Sequence, residues 1–497
     1  MPSLWVRYEL SVLRKLRLVN ADSPRWAVAG GVVLLSASLL AGCASAIAIR
    51  VPKANSIPSC IAQAPESDLM LGAALSGGGS RAAVFGAASL QALGRIRMPG
   101  GDSVLQHIGY ISSVSGGSVA TSYYAANQPP KETPVLTASG EYTEEYQKFF
   151  AKYLEQVSQN FEGPLIARQL ATFRWINSAL AARSLSEVMS LHLLGKVTLG
   201  DLAARQMQGD IPAILFNSSF YNSGRRFVLT ATSADVAQYD LFADLRRSAA
   251  VRGASVEFPA LSQRMWEGLT PVTPLDLHID PCPIAVAHAV TASASFPPLV
   301  GPITFRVEGD DVYWHAGDGG LYENAGVETL FATFLKKLQE RKTRRALIFS
   351  FDSSYPFGVG ERLLARRAQP FSILTYDFSR IPGIMEQRAY AYNHLFFRTL
   401  RTQGVIPGVD TFRVLFLHHV DAQWRGDLSD LPEPCRGSLK TPSEVTERLA
   451  EIPTRFRIVS DCDRELLITA ANKVVEQSRP EIEDFLAGKP SPERTAE

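Results

Sequence analysis

Two consecutive units of apolar run, glycine-containing turn and helix-compatible segment constrain the fold of this chain more than any other feature. The first unit joins LMLGAAL (69–75) to GGGSR (77–81) and then to AAVFGAASLQALGRI (82–96). The second runs from HIGYI (107–111) through SSVSGGS (112–118) into another helix-compatible segment. Short apolar runs of this kind are typical of buried strands, and repeated strand–turn–helix units indicate a parallel sheet covered by helices. The sequence therefore predicts an α/β protein.

The rest of the body continues this alternation. Helical spacing dominates residues 140–207, which we interpret as a helical insertion that forms a lid or acyl groove, or that only packs on the body. The folded body is expected to span residues 69–480, followed by a flexible tail at 481–497. Further strands are predicted at 212–219, 225–232, 311–320, 346–352 and 411–419, and further helices at 284–295 and 463–477.

The N-terminus has the pattern of an export signal. Basic residues precede the apolar run AVAGGVVLLSASLLA (27–41), and LAGC (40–43) resembles the lipobox of bacterial lipoproteins. This predicts a signal peptide at 1–42, lipidation of Cys43, a tether at 43–68 and a place in the cell envelope, with Ala44 favouring the outer membrane. The alternative is an ordinary signal or an uncleaved anchor, because residues 27–49 carry no charge and are long enough to span a bilayer.

Charge and cysteine content narrow the function classes. The formal net charge is +1 and the arginines are scattered, so a nucleic-acid partner is not expected. Besides Cys43 there are four cysteines, which allow three disulfide pairings in an oxidising compartment or four free thiols. Proximity in sequence favours Cys435–Cys462, with Cys60–Cys282 as the second bridge. No Cys/His spacing suggests zinc, and neither a metal nor a cofactor is expected.

Ser115 is the candidate nucleophile. A serine hydroxyl needs a base to become reactive, and a sharp turn with small neighbours lifts it clear of a sheet. Ser113-Val114-Ser115-Gly116-Gly117 is close to the G-x-S-x-G pattern of such turns. A tight turn without catalytic function is the alternative interpretation.

The loop Gly77-Gly78-Gly79 is the candidate oxyanion hole. It lies at a predicted strand end and opens a predicted helix, where exposed backbone N–H groups and the helix dipole favour negative charge. Arg81 is placed to fix the loop. A phosphate cradle is a weaker alternative, because the loop lacks both the Lys-Ser/Thr ending of a P-loop and G-x-G-x-x-G spacing. A purely structural turn is the other alternative.

Asp318 is a better candidate base than any histidine. The eight histidines lie in strand or apolar helix patterns, in which a packed side chain is the commoner case. Asp318 follows the strand-like VYWHAG and directly precedes Gly319-Gly320. A carboxylate at such a strand end can reach another side chain with little obstruction.

Four motifs in order, GGGSR, SVSGG, SASFPP (293–298) and DGG (318–320), resemble those of the patatin-like phospholipases over roughly residues 69–475. This resemblance implies a three-layer α/β/α fold with a mainly parallel sheet, and a Ser–Asp dyad without histidine. It implies that Ser115 is the nucleophile and Asp318 the general base. It also implies that Gly77, Gly78 and Gly79, helped by Arg81, form the oxyanion hole.

Two positions depart from the family pattern. Ser113 and Ala82 stand where the family usually has glycine, although both are small. The resemblance implies a lipid acyl hydrolase of phospholipase A or lysophospholipase type, and the N-terminal pattern adds a membrane tether. The alternatives are a broad carboxylesterase or thioesterase, and a catalytically silent envelope lipoprotein.

Overall fold

The computed structural model describes residues 48–174, 178–233, 270–297, 300–354 and 411–489, with a few isolated positions between the last two ranges. The strands with described bounds are β1 (Ile49–Val51), β2 (Leu69–Leu75), β3 (Ile108–Val114), β4 (Ala213–Phe220), β5 (Arg225–Leu229), β6 (Ile303–Val307), β7 (Tyr313–Asp318), β8 (Arg345–Asp352) and β9 (Phe412–His418). The α-helices are α1 (Gly79–Leu93), α2 (Gly116–Asn127), α3 (Glu144–Val157), α4 (Glu162–Ala171), α5 (Ser178–Met189), α6 (Leu199–Gln208), α7 (Val286–Ala294), α8 (Val327–Gln339), α9 (Pro442–Glu451) and α10 (Asp461–Leu486).

All nine strands belong to one mixed sheet. The strand order is β1-β6-β7-β4-β3-β2-β8-β9, and β5 pairs with β4 beside this path. The strands β4, β3, β2, β8 and β9 run parallel to one another, whereas β5 pairs antiparallel with β4, and β7 pairs antiparallel with both β4 and β6. Parallel strands bring their carboxyl ends to one edge, so the turns after β2 and β3 lie side by side.

Helices cover both faces of this sheet. On one face, α8 packs on β2, β3 and β8, with Phe334 and Leu330 so close to Gly72 that a Cβ atom there would lie 2.7 Å from the Phe334 ring. On the other face, α1 packs against α2 and α10, and Leu75 of β2 and Phe85 of α1 are fully buried in the same hydrophobic core. The predicted α/β fold, with a mostly parallel sheet between two helical layers, is confirmed.

Helices fill the described part of the stretch that the sequence predicts to be a helical insertion. They are α3 to α6, with a π-helix at Ser190–Leu194 between α5 and α6. Among the described residues, no helix is both long enough and apolar enough to cross a bilayer. The predicted signal peptide and Cys43 lie outside the described residues.

The structure differs from the predicted tether at 43–68. Residues 49–51 form β1, which pairs in parallel with β6, and the Ala62 N–H donates to the Ala231 carbonyl oxygen at 3.0 Å. Cys60 forms a disulfide with Cys282. From Ile49 onward this segment is therefore part of the folded body. The sequence did not indicate this, because the segment is polar and rich in proline and its contacts are made with residues far away along the chain.

The C-terminal end also differs from expectation. The helix predicted at 463–477 continues as α10 to Leu486 and includes Pro480, a residue that normally argues for a helix end. The first residues of the predicted flexible tail are thus helical, and those after 489 lie outside the described residues. The second predicted disulfide, Cys435–Cys462, is present, so both favoured pairings are confirmed.

Candidate active site

Ser115 lies at a sharp turn between the end of β3 and the start of α2. Its φ is 49° and its ψ is −115°, a strained conformation for a residue with a side chain. The turn is packed tightly against the glycine loop, because a Cβ atom added at Gly116 would lie 1.9 Å from the Gly79 carbonyl oxygen. A glycine is therefore required at position 116, whereas Ser113 is accommodated two residues earlier within β3.

The sheet register brings Asp318 to the same edge as Ser115. Val114, at the end of β3, pairs with Asn217 of β4, and the next residue of β4, Ser218, pairs with Asp318 at the end of β7. Both candidate catalytic side chains are buried, with 8% of Ser115 and 3% of Asp318 exposed. The Ser115 hydroxyl is near enough to the Asp318 carboxylate to lower its pKa by hydrogen bonding. The structure therefore brings together the two residues proposed as nucleophile and base.

Burial adjusts the basicity of Asp318. Desolvation raises the pKa of its carboxyl group from 3.8 to about 7, and two hydrogen bonds act in the opposite direction. One comes from the Gly320 N–H, 2.8 Å from Oδ1, and the other from the Ser115 hydroxyl. A carboxylate with a pKa near neutrality is a stronger proton acceptor than an ordinary aspartate and is still ionised at pH 7 to 8.

The glycine loop presents two backbone N–H groups beside the serine. A Cβ atom at Gly77 would lie 3.2 Å from the Cβ of Ser115, so the loop and the nucleophile are in contact. The Gly77 N–H itself donates to the Asn324 carbonyl oxygen at 2.9 Å. Gly78 and Gly79 stand at the first turn of α1, where N–H groups have no intrahelical acceptor. These two residues are the loop's candidate oxyanion donors.

Three long-range hydrogen bonds hold the loop in place. Arg81 is buried and donates to the carbonyl oxygens of Ser353 and Ile452 at 2.8 and 2.6 Å. The Ser80 N–H donates to the Arg455 carbonyl oxygen at 2.7 Å. Arg81 therefore supports the predicted role of fixing the loop, through groups far away in sequence.

No described histidine hydrogen-bonds to Ser115 or Asp318. His315, three residues before Asp318, contacts the Thr304 hydroxyl at 2.9 Å. His419 is fully buried, and burial, with the nearby His418 and Arg81, lowers its pKa well below the ordinary value. His394 lies outside the described residues.

One cluster of metal-ligating side chains occurs within the described ranges. It consists of Cys60, Asp280 and Cys282, and the two cysteines are joined in a disulfide. A disulfide sulfur is no longer a thiolate ligand, so this cluster is a structural bridge and not a candidate metal centre.

Sequence reasoning missed the polar residues that surround the turn. Asn217 of β4 donates through Nδ2 to the Ser112 hydroxyl and the Ser113 carbonyl oxygen, at 2.8 and 3.0 Å. Ser293 and Ser295, at the end of α7, contact the backbones of Ser115 and Asp318. The SASFPP motif was the available signal for the two serines, but the motif alone assigned them no role.

A comparison with models of protein families found a match for this chain. A sequence model of the patatin-like phospholipase family matches residues 73–331, which contain Ser115, Asp318 and the glycine loop. No curated protein matched this chain in sequence.

Among solved structures, human GIVD cytosolic phospholipase A2 is similar at 12% identity and a TM-score of 0.42, over 84% of this chain and 60% of that one. The same protein in complex with methyl gamma-linolenyl fluorophosphonate gives 12% identity and a TM-score of 0.42, over 85% and 59%. This chain thus spans about three-fifths of the length of those chains. At these values the likeness carries no argument about activity.

Proposed function

The chain belongs to the patatin-like phospholipase family, and from this premise we propose that it is a membrane-tethered lipid acyl hydrolase with a Ser115–Asp318 dyad. The observation that carries the proposal is the position of Ser115, on a strained turn at the end of β3, beside the buried Asp318 carboxylate at the end of β7, whose pKa is raised to about 7. A nucleophile beside a base of raised pKa, next to the N–H groups of Gly78 and Gly79, is the arrangement that acyl transfer requires.

The proposed reaction proceeds in two steps. Asp318 accepts the hydroxyl proton as the Ser115 Oγ attacks an ester carbonyl, and the N–H groups of Gly78 and Gly79 stabilise the oxyanion. Removal of one such donor typically costs about 3 kcal/mol of transition-state stabilisation. The alcohol takes the proton from Asp318 and leaves, so that an acyl-enzyme remains. Asp318 then accepts a proton from water as the water oxygen attacks the acyl carbonyl, and it returns this proton to the Ser115 Oγ as the acyl–oxygen bond breaks and the fatty acid is released.

A lipid substrate is favoured by an apolar surface connected to the glycine loop. Ile166 and Leu170, four residues apart on one side of α4, are 50% and 59% exposed, and Phe173, just beyond the helix, is 69% exposed. The start of α4 is held by an ion pair between Glu162 and Arg455, with Arg455 Nε 3.0 Å from Glu162 Oε2. The carbonyl oxygen of Arg455 also accepts the hydrogen bond from the Ser80 N–H that holds the glycine loop. We infer that a lipid aggregate docks on this surface, because Arg455 links the start of α4 to the glycine loop.

The membrane tether depends on sequence alone. We infer that LAGC directs lipidation of Cys43 and places the protein in the cell envelope, at the outer membrane, facing the periplasm or the cell surface. Mass spectrometry of the mature N-terminal peptide tests this, because lipidation requires cleavage before Cys43 and an added acyl mass. An unmodified or uncleaved N-terminus would refute the inference.

The dyad is tested with a fluorophosphonate probe and fatty-acid release from phosphatidylcholine vesicles. We expect wild type to be labelled at Ser115, and Ser115→Ala and Asp318→Asn to be folded and inactive. His315→Gln is a matched control on β7 and should remain active. An unlabelled wild type would favour the silent lipoprotein, and an inactive but folded His315→Gln would argue against the dyad.

A second substrate separates the lipid hydrolase from a broad esterase or thioesterase. Leu170→Ser and Phe173→Ser should lower the rate on vesicles while leaving the rate on p-nitrophenyl butyrate unchanged, because a monomeric ester does not need the apolar surface. Equal rates of wild type and variants on vesicles would favour the broad esterase.

A further inference from the structure

The proposed mechanism leaves the SASFPP motif without a role, although its first serine touches the nucleophile turn. Ser293 is completely buried near the end of α7. Its Oγ accepts a hydrogen bond from the Ser115 backbone N–H at 2.9 Å and donates to the Asn217 carbonyl oxygen at 2.6 Å. The Ser118 hydroxyl, on the first turn of α2, lies 2.9 Å away. One side chain thus joins the nucleophile turn, the following helix and the neighbouring strand.

These contacts fix the direction of the Ser293 hydrogen bonds. A serine has one proton and two lone pairs, and the short contact to the Asn217 carbonyl oxygen assigns the proton. One lone pair then accepts from the Ser115 N–H, whereas the Ser118 hydroxyl donates its own proton to the Ser113 hydroxyl at 3.0 Å. Alanine at position 293 would leave the Ser115 N–H and the Asn217 carbonyl oxygen buried without this hydroxyl as a partner.

The same end of α7 also holds the base. The Asp318 backbone N–H donates to the carbonyl oxygen of Ser295 at 3.0 Å. Ser293 and Ser295 are two residues apart, so their separation is fixed by local backbone geometry. The backbone N–H groups of the nucleophile and the base are therefore both hydrogen-bonded to one short segment at the end of α7.

Ser115 requires such an attachment. A serine at a φ of 49° is strained, and it keeps this conformation only where several contacts determine it. The Ser293 bond is made to the backbone N–H of the strained residue itself, and its partner lies 178 residues away in sequence. Relaxation of this φ would turn the hydroxyl away from Asp318.

We propose that Ser293 is a positioning residue, whose hydroxyl locks the backbone of Ser115 so that its side chain meets Asp318. The expected loss of rate rests on the proposed function. The expected movement of Ser115 rests on the backbone geometry alone. Ser293 does not touch the substrate or the reacting atoms.

The test compares Ser293→Ala with Ser122→Ala. Ser122 is an equally buried serine on α2 whose hydroxyl only contacts the Val119 carbonyl oxygen of its own helix. Because a misplacement of about 1 Å can cost about a hundredfold in rate, Ser293→Ala should be labelled by the fluorophosphonate about a hundredfold more slowly. Its kcat should fall with KM unchanged, and Ser293→Thr, which keeps the hydroxyl, should recover most of the rate. Ser122→Ala should match wild type.

A crystal structure of Ser293→Ala supplies a readout that does not depend on activity. We expect Ser115 to leave its positive φ and its hydroxyl to separate from Asp318. A folded Ser293→Ala with wild-type labelling rate, or with Ser115 unmoved, would overturn the inference. If wild type is not labelled, the proposed function fails and the crystal structure alone decides. If Ser293→Ala does not fold, Ser293→Cys takes its place, because a thiol keeps the size of the side chain but is a weak hydrogen-bonding group, and a wild-type labelling rate there would overturn the inference.

Discussion

Replacing Asp318 by asparagine should abolish activity and, above neutral pH, make the protein more stable. Burial raises the pKa of Asp318 from 3.8 to about 7, so the folded protein holds this proton more tightly than the unfolded chain. The contribution of Asp318 to stability is therefore greatest below about pH 4 and declines as the pH rises through about 7. Asparagine is uncharged, keeps Oδ1 as an acceptor for the Gly320 N–H, and is free of this loss.

The magnitude follows from the two pKa values. Each unit of difference corresponds to about 1.4 kcal/mol, so ionised Asp318 costs about 4 kcal/mol at pH 8. About 2 to 3 kcal/mol of this cost develops between pH 5 and pH 8. Changes that do not titrate, such as altered packing by asparagine, cancel when the two pH values are compared.

Urea denaturation of wild type and Asp318→Asn at pH 5, 6, 7 and 8 measures this quantity. The free energy of unfolding of the variant relative to wild type should increase by about 2 to 3 kcal/mol across the series. Ser115→Ala is the matched inactive control: it loses a hydrogen bond that lowers the Asp318 pKa, so it should gain no stability as pH rises. A constant difference between Asp318→Asn and wild type would show that Asp318 titrates normally, and would refute the proposed basis of its reactivity.

Three further outcomes are expected. The kcat/KM of wild type should rise about tenfold per pH unit up to about pH 7 and then level off, because Asp318 acts as a base only when ionised; a flat profile from pH 5 to 8 would exclude it. Gly116→Ala should abolish labelling and lower the free energy of unfolding by about 1–3 kcal/mol, because its Cβ would lie 1.9 Å from the Gly79 carbonyl oxygen. Gly426→Ala is the control: a Cβ atom there would have nothing within 4 Å, so this variant should behave as wild type in both assays. Replacing Cys435 and Cys462 together by alanine should lower the urea-measured stability by about 3–4 kcal/mol, the loop-closure value for a separation of 27 residues, and an unchanged midpoint would contradict this.

The central strands could be predicted because their own residues form continuous apolar runs, which indicate burial. LMLGAAL was predicted as a strand and forms β2 with the same bounds, and it is buried by helices on both faces. By contrast, Ile49–Val51 and Ile303–Val307 form a pair at the edge of the sheet, where strands are short and half-exposed. Such strands carry little local signal, because their stability comes from a partner more than 200 residues away.

The same division applies to the candidate site. Ser115 and Asp318 could be selected because each follows a strand and precedes glycine, which is a local pattern. Their contact could not be derived, since it depends on β7 running antiparallel to β4 in a particular register. The role of Ser293 was hidden for a further reason: a serine near the end of an apolar helix has no local property that distinguishes a structural link from ordinary packing.

The proposed dyad, with aspartate in place of histidine, places two demands on the fold around this site. A serine hydroxyl has a pKa far above neutrality, and an aspartate in water is too weak a base to deprotonate it efficiently. Burial reduces this mismatch by raising the pKa of Asp318, but the same desolvation destabilises the ionised form that catalysis needs. The site must therefore be dry enough to raise the basicity and rigid enough to keep Ser115 within reach. The attachment of both backbones to the end of α7 meets the second requirement without placing another charge beside the carboxylate.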